Sequence, residues 1–259
     1  MTASRTGVAI VIPARYASTR FPGKPLSLIG GKLMIQRVWE QAKQATLADR
    51  VIIATDDERI AEAVRGFGGE VCMTGSDHLT GTDRLAEVAS KLPDIKIICN
   101  VQGDEPLISP IAIDAAIRPL IEDSNVEMST IAYAINDEEK WRSPQLVKVV
   151  LDRNSFALYF SRYPIPFERD PGEQPHVQRL GHAGLYVYKK ETLQRIAKLE
   201  PTPLELTEKL EQLRALENGI RIKVVINNHA SPGVDVPEDI AKVEALLAVP
   251  HVVPVTTSV

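Results

Sequence analysis

Three positively charged side chains follow the first apolar segment of the chain, and together they could hold a bound anion. Residues 8–12 form an uninterrupted apolar run typical of a buried strand, and Arg15, Arg20 and Lys24 come after it. The loop that carries them is too rich in Pro, Gly and Ser for a helix, so its backbone N–H groups could face a ligand beside the cations. The spacing predicts a site for one polyphosphate. A solvated basic loop is the alternative, and the crowding of cations at the end of a strand argues against it.

Two acidic residues, each following a strand-like run, could bind a divalent cation. Asp104 comes after the apolar run 97–101, and Asp235 lies between the last predicted strand and a helix. Mg²⁺ prefers one or two carboxylates together with phosphate oxygens and water. The two acids therefore predict a magnesium site if the last strand lies near the strand before Asp104, which the sequence leaves open. Each acid also has a simpler interpretation, because Asp104 could cap a turn and Asp235 could merely begin a helix.

The loop at 74–84 follows the third predicted strand and could bind a sugar or the edge of a base. It contains Thr74, Gly81 and several other hydroxyl and glycine residues, and it leads to Arg84 at the start of a helix. Ordinary turn chemistry explains this composition equally well.

The later part of the chain offers candidates for a sugar pocket. His182 and Tyr186 are four residues apart in a predicted strand and therefore share a face, where they could bind a polyol or simply pack. Glu205 and Gln212 belong to one polar stripe of a predicted helix, a pattern that usually marks a solvated face. Arg162 could pair with a carboxylate substrate or be a surface cation.

The elements that must position these residues alternate between strands and helices. Strands are predicted at 8–14, 51–55, 70–74 and 95–101, with helices near 33–46, 58–66, 83–91 and 110–122. Such alternation predicts an α/β fold, with a mostly parallel, Rossmann-like mixed sheet covered by helices on both faces. Binding residues in such sheets gather beyond the carboxyl ends of the strands.

The pattern changes after about residue 127, where strands follow one another with few helices between them. These strands are predicted at 127–135, 146–151, 156–162 and 185–188. We expect a single domain over residues 1–259, in which about 127–200 form an inserted antiparallel layer for dimerisation and sugar binding. The Pro-rich loop at 163–179 is expected to be mobile. A helix at 204–217, a strand at 221–226 and a helix from 237 to about 248 follow.

Composition narrows the class of protein. The 259 residues are 44% hydrophobic and 25% charged, which is typical of a globular protein with a full core. The formal net charge of −4 gives no global basic field, so we expect no nucleic-acid partner. The two cysteines lie in apolar runs and are expected to be buried thiols. Neither a secretory leader nor an apolar run near 18 residues is evident, so we expect a cytoplasmic protein with no membrane partner.

Five segments, in order and in register, resemble the 3-deoxy-manno-octulosonate (KDO) cytidylyltransferase family. They are VIPARYASTRFPGKPL (11–26), NVQGDEP (100–106), VKVVLD (147–152), ALYFSR (157–162) and LEQLR (210–214). The resemblance extends from about residue 8 to about residue 247, which is nearly the whole chain. Five spaced motifs together are far more specific than any one of them.

The resemblance implies a fold of the nucleotide-diphospho-sugar transferase type and transfer of CMP from CTP to the anomeric hydroxyl of KDO. Pyrophosphate is released, Mg²⁺ is required, and the CMP-KDO serves lipopolysaccharide synthesis. Family members are usually homodimers. By position, the resemblance implies a catalytic role for Arg15, Lys24, Asp104 and Asp235, the last two as metal ligands. It implies CTP binding by Pro13, Ala14, Arg15, Lys24, Thr74, Gly81, Arg84 and Gln102. It implies sugar binding by Gln102, Arg162, His182, Tyr186, Glu205 and Gln212.

The chemistry implied by this resemblance agrees with the residues present. Attack of a hydroxyl on an α-phosphorus needs positioning and neutralisation of charge more than a covalent nucleophile. Two alternatives remain from the sequence. One is a cytidylyltransferase for a related acidic sugar, either 8-amino-KDO or sialic acid, and the ALYFSR and LEQLR segments argue against sialic acid. The other is a nucleotide-binding module without catalysis. The presence of both acids, Asp104 and Asp235, and of both key cations, Arg15 and Lys24, argues against this alternative.

Overall fold

A single mixed sheet forms the centre of the molecule. The computed structural model describes residues 6–17, 20–78, 80–169, 176–227 and 232–248. The strands in this part of the chain are β1 (Gly7–Ala14), β2 (Leu28–Ile29), β3 (Lys32–Leu33), β4 (Arg50–Thr55), β5 (Glu70–Met73), β6 (Ile95–Asn100), β7 (Met128–Ala134), β8 (Lys148–Leu151), β9 (Ala157–Ser161), β10 (Leu180–Lys189) and β11 (Ile222–Ile226). The helices are α1 (Met34–Ala42), α2 (Glu58–Gly66), α3 (Gly81–Ser90), α4 (Pro110–Glu122), α5 (Glu138–Arg142), α6 (Lys190–Ile196), α7 (Pro203–Glu208), α8 (Gln212–Glu217) and α9 (Asp239–Ala248). The main sheet has the order β11-β7-β10-β6-β1-β4-β5.

The first half of the chain builds the parallel part of this sheet. β1 pairs in parallel with β4 and β6, and β4 pairs in parallel with β5. Residues 8–12 are fully buried because apolar clusters cover both faces of the sheet, as the uninterrupted apolar run predicts. Ala14, Thr55, Met73 and Asn100 end their strands at the same edge. The predicted mostly parallel α/β sheet is confirmed, and the candidate residues of the first half lie at the ends of these strands or in the segments that follow them.

Most strands after residue 127 pair antiparallel with their neighbours, but they belong to the same sheet. β10 lies antiparallel between β6 and β7, while β11 lies parallel to β7 at the end of the sheet. β8 and β9 form a hairpin that joins β10 at the pair Gly181 and Lys148. The short helices α5 and α6 also fall in this region and were not predicted. The assignment of 127–200 to a dimerisation layer stays a prediction.

The predicted single helix at 204–217 is wrong. Lys209 adopts the left-handed conformation, with φ 55° and ψ 50°, and separates α7 from α8. The break turns α8 back toward α7, so that Arg214 reaches Glu205. Along a straight helix these two residues would lie about 13 Å apart, so their contact depends on the break at Lys209. The periodic pattern of the sequence alone does not reveal this break.

Among the residues that the structure describes, no helix is both long and apolar enough to cross a membrane.

Candidate active site

Residues 15–24 follow β1, and we call them the phosphate loop after their predicted ligand; the structure describes 15–17 and 20–24 of this segment. The Gly23 amide donates a hydrogen bond of 2.9 Å to the carbonyl of Tyr16. Gly23 has φ 71°, and a Cβ there would lie 3.2 Å from the Tyr16 ring, so the position favours glycine on two grounds. A 3₁₀ turn over Lys24–Leu26 follows immediately, with Pro25 in its first turn. The prediction that the whole segment is non-helical is therefore wrong at its end, where this turn presents Lys24.

Lys24 connects the two acidic segments. Its ammonium Nζ lies 2.6 Å from Asp104 Oδ2 and 2.9 Å from the Val234 carbonyl oxygen. The Val234 amide in turn donates a hydrogen bond of 2.9 Å to the Asp104 carbonyl. Asp235, the next residue, pairs with Arg20 at 3.3 Å. The two acidic segments, whose proximity the sequence leaves open, are thus neighbours.

The neighbouring acids Asp104 and Glu105 have different surroundings. The Asp104 carboxylate is 32% exposed and faces Lys24. Burial, with a smaller contribution from the charge of Asp104, raises the pKa of Glu105 to about 8. Gly103 lets this segment pass close to β1, since a Cβ there would meet the Pro13 carbonyl at 2.6 Å. This glycine is therefore required by backbone packing, and Asp104 is the acid of the pair that faces Lys24.

The carboxylates present fit a magnesium ion that is coordinated partly by the protein and partly by a nucleotide. Asp104 and Asp235 offer two hard carboxylate groups from adjacent segments. Within the described ranges, no group of three or more His, Cys, Asp or Glu side chains is arranged to hold a metal. Phosphate oxygens and water would have to complete the coordination, which is the mode of binding that Mg²⁺ favours at phosphate sites.

Arg15 attaches the phosphate loop to the loop at 74–84. Its guanidinium donates to the carbonyl oxygens of His78 and Thr80. Thr80 begins α3 with a capping box shared with Asp83, which fixes Gly81 at the first turn of the helix.

Arg84 is fully buried. Its guanidinium donates to the Thr74 hydroxyl and lies 3.1 Å from the Asp56 carboxylate. Arg84 therefore stabilises the loop at 74–84 from the protein interior. The predicted contacts of Arg84 and Thr74 with CTP stay predictions.

A cavity of about 260 Å³ opens beside these segments, between the sheet and α8. Five of the predicted site residues line it: Pro13, Gly81, Gln102, Tyr186 and Gln212. Residues that were not predicted also line it, among them Thr82, Asn100, Tyr188, Lys209 and Glu211. Gln102 donates a hydrogen bond of 3.2 Å to the Gly184 carbonyl, which links the end of β6 to β10. The structure thus brings together residues predicted to bind CTP and residues predicted to bind the sugar.

Glu211 is a functional candidate beyond those predicted from the sequence. Its carboxylate accepts a hydrogen bond of 2.9 Å from the Thr82 hydroxyl, and burial raises its pKa. The residue lies in the LEQLR segment beside Gln212, so that segment already contained the signal. In a continuous helix, Glu205 and Gln212 share a face that does not include Glu211. The helix is broken at Lys209, so that helical pattern does not describe the positions of these residues.

His182 packs as an uncharged ring. Its centroid lies 5.0 Å from the Phe160 ring and 5.2 Å from the Tyr186 ring, so His182 and Tyr186 are on one face as predicted. Burial lowers the pKa of His182 to about 3, and Nε2 shares a hydrogen bond of 2.9 Å with the Thr130 hydroxyl. His182 is not among the cavity-lining residues, and its role in sugar binding stays a prediction.

Glu205 and Arg162 are bonded to protein groups. Glu205 is 7% exposed and binds the guanidinium of Arg214 through two bonds of 2.6 and 2.8 Å, so its assignment to a solvated face is wrong. Arg162 donates to the carbonyl oxygens of Glu208 and Pro144, at 2.8 and 3.1 Å. Neither residue lines the cavity, and both sugar-binding roles stay predictions.

Comparison with known proteins identifies the class and then the family. A family model described as "Cytidylyltransferase" matches residues 9–222. The 3-deoxy-manno-octulosonate cytidylyltransferase of Syntrophotalea carbinolica is 56% identical over 246 residues, covering 93% of this chain and 98% of the relative. The enzyme of the same name from Geobacter sulfurreducens is 54% identical over 244 residues, covering 91% and 97%. The chain belongs to the 3-deoxy-manno-octulosonate cytidylyltransferase family.

Solved structures agree with this assignment. The structure of a CMP:2-keto-3-deoxy-manno-octonic acid synthetase complexed with CTP superposes with a TM-score of 0.89 at 43% identity, covering 94% of this chain and 99% of that one. A 4-diphosphocytidyl-2C-methyl-D-erythritol synthase from Anaerococcus prevotii has a TM-score of 0.61 at 13% identity, covering 93% and 96%, and shares the fold.

Proposed function

We propose that this protein transfers CMP from CTP to the anomeric hydroxyl of KDO, forming CMP-KDO and releasing pyrophosphate. The observation that carries the proposal is that Lys24 bonds both acidic segments, at Asp104 and at the Val234 carbonyl next to Asp235. Gln102, two residues before Asp104, lines a cavity together with Tyr186 and Gln212. Cations suited to phosphate and acids suited to a metal are thus joined, through the segment 102–104, to a pocket with hydroxyl and amide groups suited to a polyol. Membership of the KDO cytidylyltransferase family supports the same substrates.

The cations of the phosphate loop hold the triphosphate in this scheme. Lys24 is a mobile point charge that follows a phosphate oxygen, whereas the planar guanidinium of Arg15 can bind two oxygens at once. Both residues follow β1, so the triphosphate is oriented across the carboxyl ends of the parallel strands. This orientation and the neutralised charge lower the barrier to attack at the α-phosphorus.

Asp104 and Asp235 would hold Mg²⁺ against the triphosphate. The bound metal would neutralise the developing charge and activate the attacking hydroxyl. The chain supports the two ligands by the backbone bond between Val234 and Asp104, which fixes the separation of the two segments. The metal, the roles of the individual site residues and a cytoplasmic location are parts of the proposal.

The cavity side of the site would receive the acidic sugar. Tyr186 and Gln212 approach from opposite walls, β10 and α8, and Gln102 joins the sugar wall to the nucleotide side. His182 behind Tyr186 stays neutral at physiological pH, since burial lowers its pKa to about 3. It therefore positions the Tyr186 ring by packing and adds no charge to the pocket.

A homodimer is also part of the proposal. Leu158, Tyr163 and Phe167, on and after β9, are exposed by 63%, 75% and 84%. Large apolar side chains exposed within one short stretch of chain, here 158–167, commonly mark a protein–protein interface. Sedimentation of the full chain at micromolar concentration measures the state directly, and a monomer would contradict this part.

Pyrophosphate release from CTP tests the proposed function. KDO, 8-amino-KDO and N-acetylneuraminate are compared as acceptors at equal concentrations, with Mg²⁺ present. We expect the largest kcat/KM with KDO. No release with KDO would refute the proposed function, and a higher kcat/KM with either analogue would change the proposed acceptor.

A further inference from the structure

Both acids of the proposed metal site are already paired with cations of the phosphate loop. Lys24 Nζ lies 2.6 Å from Asp104 Oδ2, and Arg20 lies 3.3 Å from Asp235 Oδ1. The same two acids are the candidates for binding Mg²⁺, and Lys24 is a candidate for binding phosphate. The same side chains therefore form ion pairs with one another in the nucleotide-free protein and are the candidates for binding metal and phosphate when the nucleotide binds.

The two pairs differ in strength. The side chains of Lys24 and Asp104 are 15% and 32% exposed, so solvent screens their attraction only in part. Lys24 also donates to the Val234 carbonyl, which places its ammonium between the two acidic segments. Arg20 and Asp235 are 68% and 60% exposed, and such surface pairs are weak. Lys24 is the stronger of the two counter-ions.

We infer that Lys24 closes the divalent-cation site of the nucleotide-free protein and opens it by moving to the triphosphate. A divalent cation that approaches Asp104 without nucleotide must displace a bonded ammonium and meets its charge. A triphosphate gives the ammonium a new partner and adds its own oxygen ligands, so nucleotide and metal bind with positive coupling. The inference rests on the proposed function, because it concerns the metal site assigned there.

Direct binding of Mn²⁺, a spectroscopically visible divalent cation, tests this inference without turnover. Electron paramagnetic resonance measures free Mn²⁺ over the full-length protein in the absence of nucleotide. We expect Lys24→Met, which keeps the apolar stem and removes the charge, to bind Mn²⁺ at least about tenfold more tightly than the wild type, within the usual range of coupling between sites. Lys32→Met is the matched control, since Lys32 is an exposed lysine paired with Glu40, and it should leave the affinity unchanged.

A second arm shows where the gained cation binds. Adding Asp104→Asn to Lys24→Met should abolish the gain. Equal Mn²⁺ affinity of Lys24→Met and wild type would overturn the inference, and so would a gain that survives Asp104→Asn. Lys24→Gln provides the same comparison if Lys24→Met folds poorly.

The coupling itself gives a third measurement. A non-hydrolysable CTP analogue should tighten Mn²⁺ binding in the wild type, and by reciprocity Mn²⁺ should tighten binding of the analogue by the same factor. In Lys24→Met this factor should shrink at least about threefold, and an undiminished factor would overturn the inference.

Failure of the underlying metal site is distinguishable from failure of this inference. In the first case Asp104→Asn alone leaves Mn²⁺ binding with the analogue unchanged. In the second case Asp104→Asn abolishes that binding, yet Lys24→Met gains nothing.

Discussion

Two charged regions of this protein use carboxylate–cation pairs in opposite ways. At the phosphate loop, the pairs Lys24–Asp104 and Arg20–Asp235 are partly or largely exposed. Between α7 and α8, Arg214 and Glu205 are only 7% and 8% exposed at their side chains and form a two-bond pair. A ligand can take over an exposed partner at small cost, whereas separating a buried pair leaves an uncompensated charge. Exposure therefore separates charges that can bind substrate from charges that hold the fold.

The same contrast explains how each region is built. The phosphate-loop pairs join segments that are far apart in sequence and that meet beyond the carboxyl ends of the strands. The Glu205–Arg214 pair fixes α7 against α8 across the break at Lys209. The cavity wall that carries Gln212 depends on this buried pair.

The largest effect is expected at the exposed region, for Asp104→Asn. The amide keeps the shape but removes the charge that a divalent cation needs, so kcat should fall by about 1,000-fold, equivalent to several kcal/mol of transition-state stabilisation. Steady-state release of pyrophosphate at saturating Mg²⁺ measures it. Asp94→Asn, an exposed acid at the turn before β6, is the matched control and should behave as wild type. Wild-type rates for Asp104→Asn would mean that this carboxylate is structural.

The next effect is expected at the buried region, for Glu205→Gln. Removing one partner strands the Arg214 guanidinium, so the free energy of unfolding should fall by about 3 kcal/mol. Urea unfolding measures this change, and the double variant Glu205→Leu/Arg214→Met should recover part of it. Glu191→Gln, at an exposed site, should cost less than about 0.5 kcal/mol. Unchanged stability with a large rise in KM for KDO would instead assign Glu205 to the sugar.

A third prediction concerns acid stability and the uncharged His182. Burial lowers its pKa from 6.5 to about 3, so the unfolded chain takes up a proton on acidification before the folded chain does. The stability that this residue contributes is complete above pH 6.5 and falls by about 1.4 kcal/mol per pH unit below it. Between pH 7 and pH 5 the loss is about 2 kcal/mol. His182→Gln should flatten this part of the pH profile of unfolding, and His176→Gln, at an exposed site, should not. Parallel profiles of His182→Gln and wild type would contradict the pKa shift.

The sequence predicts the exposed region better than the buried one, for physical reasons. Arg15 directly follows β1, Lys24 ends the loop after β1, and Asp104 lies four residues after β6. The sequence predicts all three positions because the edge of a parallel sheet is defined by where its apolar strands end. Glu205 and Gln212 follow a helical period, but the period cannot show that Lys209 leaves the helix or that Arg214 turns back to bond Glu205. Contacts between residues distant in sequence, such as that of Lys24 with Val234, are likewise invisible to local patterns.

The smallest effect is expected for Arg20→Ala, and its size tests whether exposure is the right criterion. Arg20 and Asp235 are 3.3 Å apart, but both side chains are more than half exposed. Exposed pairs contribute about 0–1 kcal/mol, so kcat/KM for CTP should fall by no more than about fivefold and the unfolding midpoint should stay unchanged. Arg153→Ala, an exposed arginine away from the site, is the control. A loss near that of Asp104→Asn would show that Arg20 contacts the reacting phosphates, and that a solvent-exposed cation can become part of the site when the nucleotide binds.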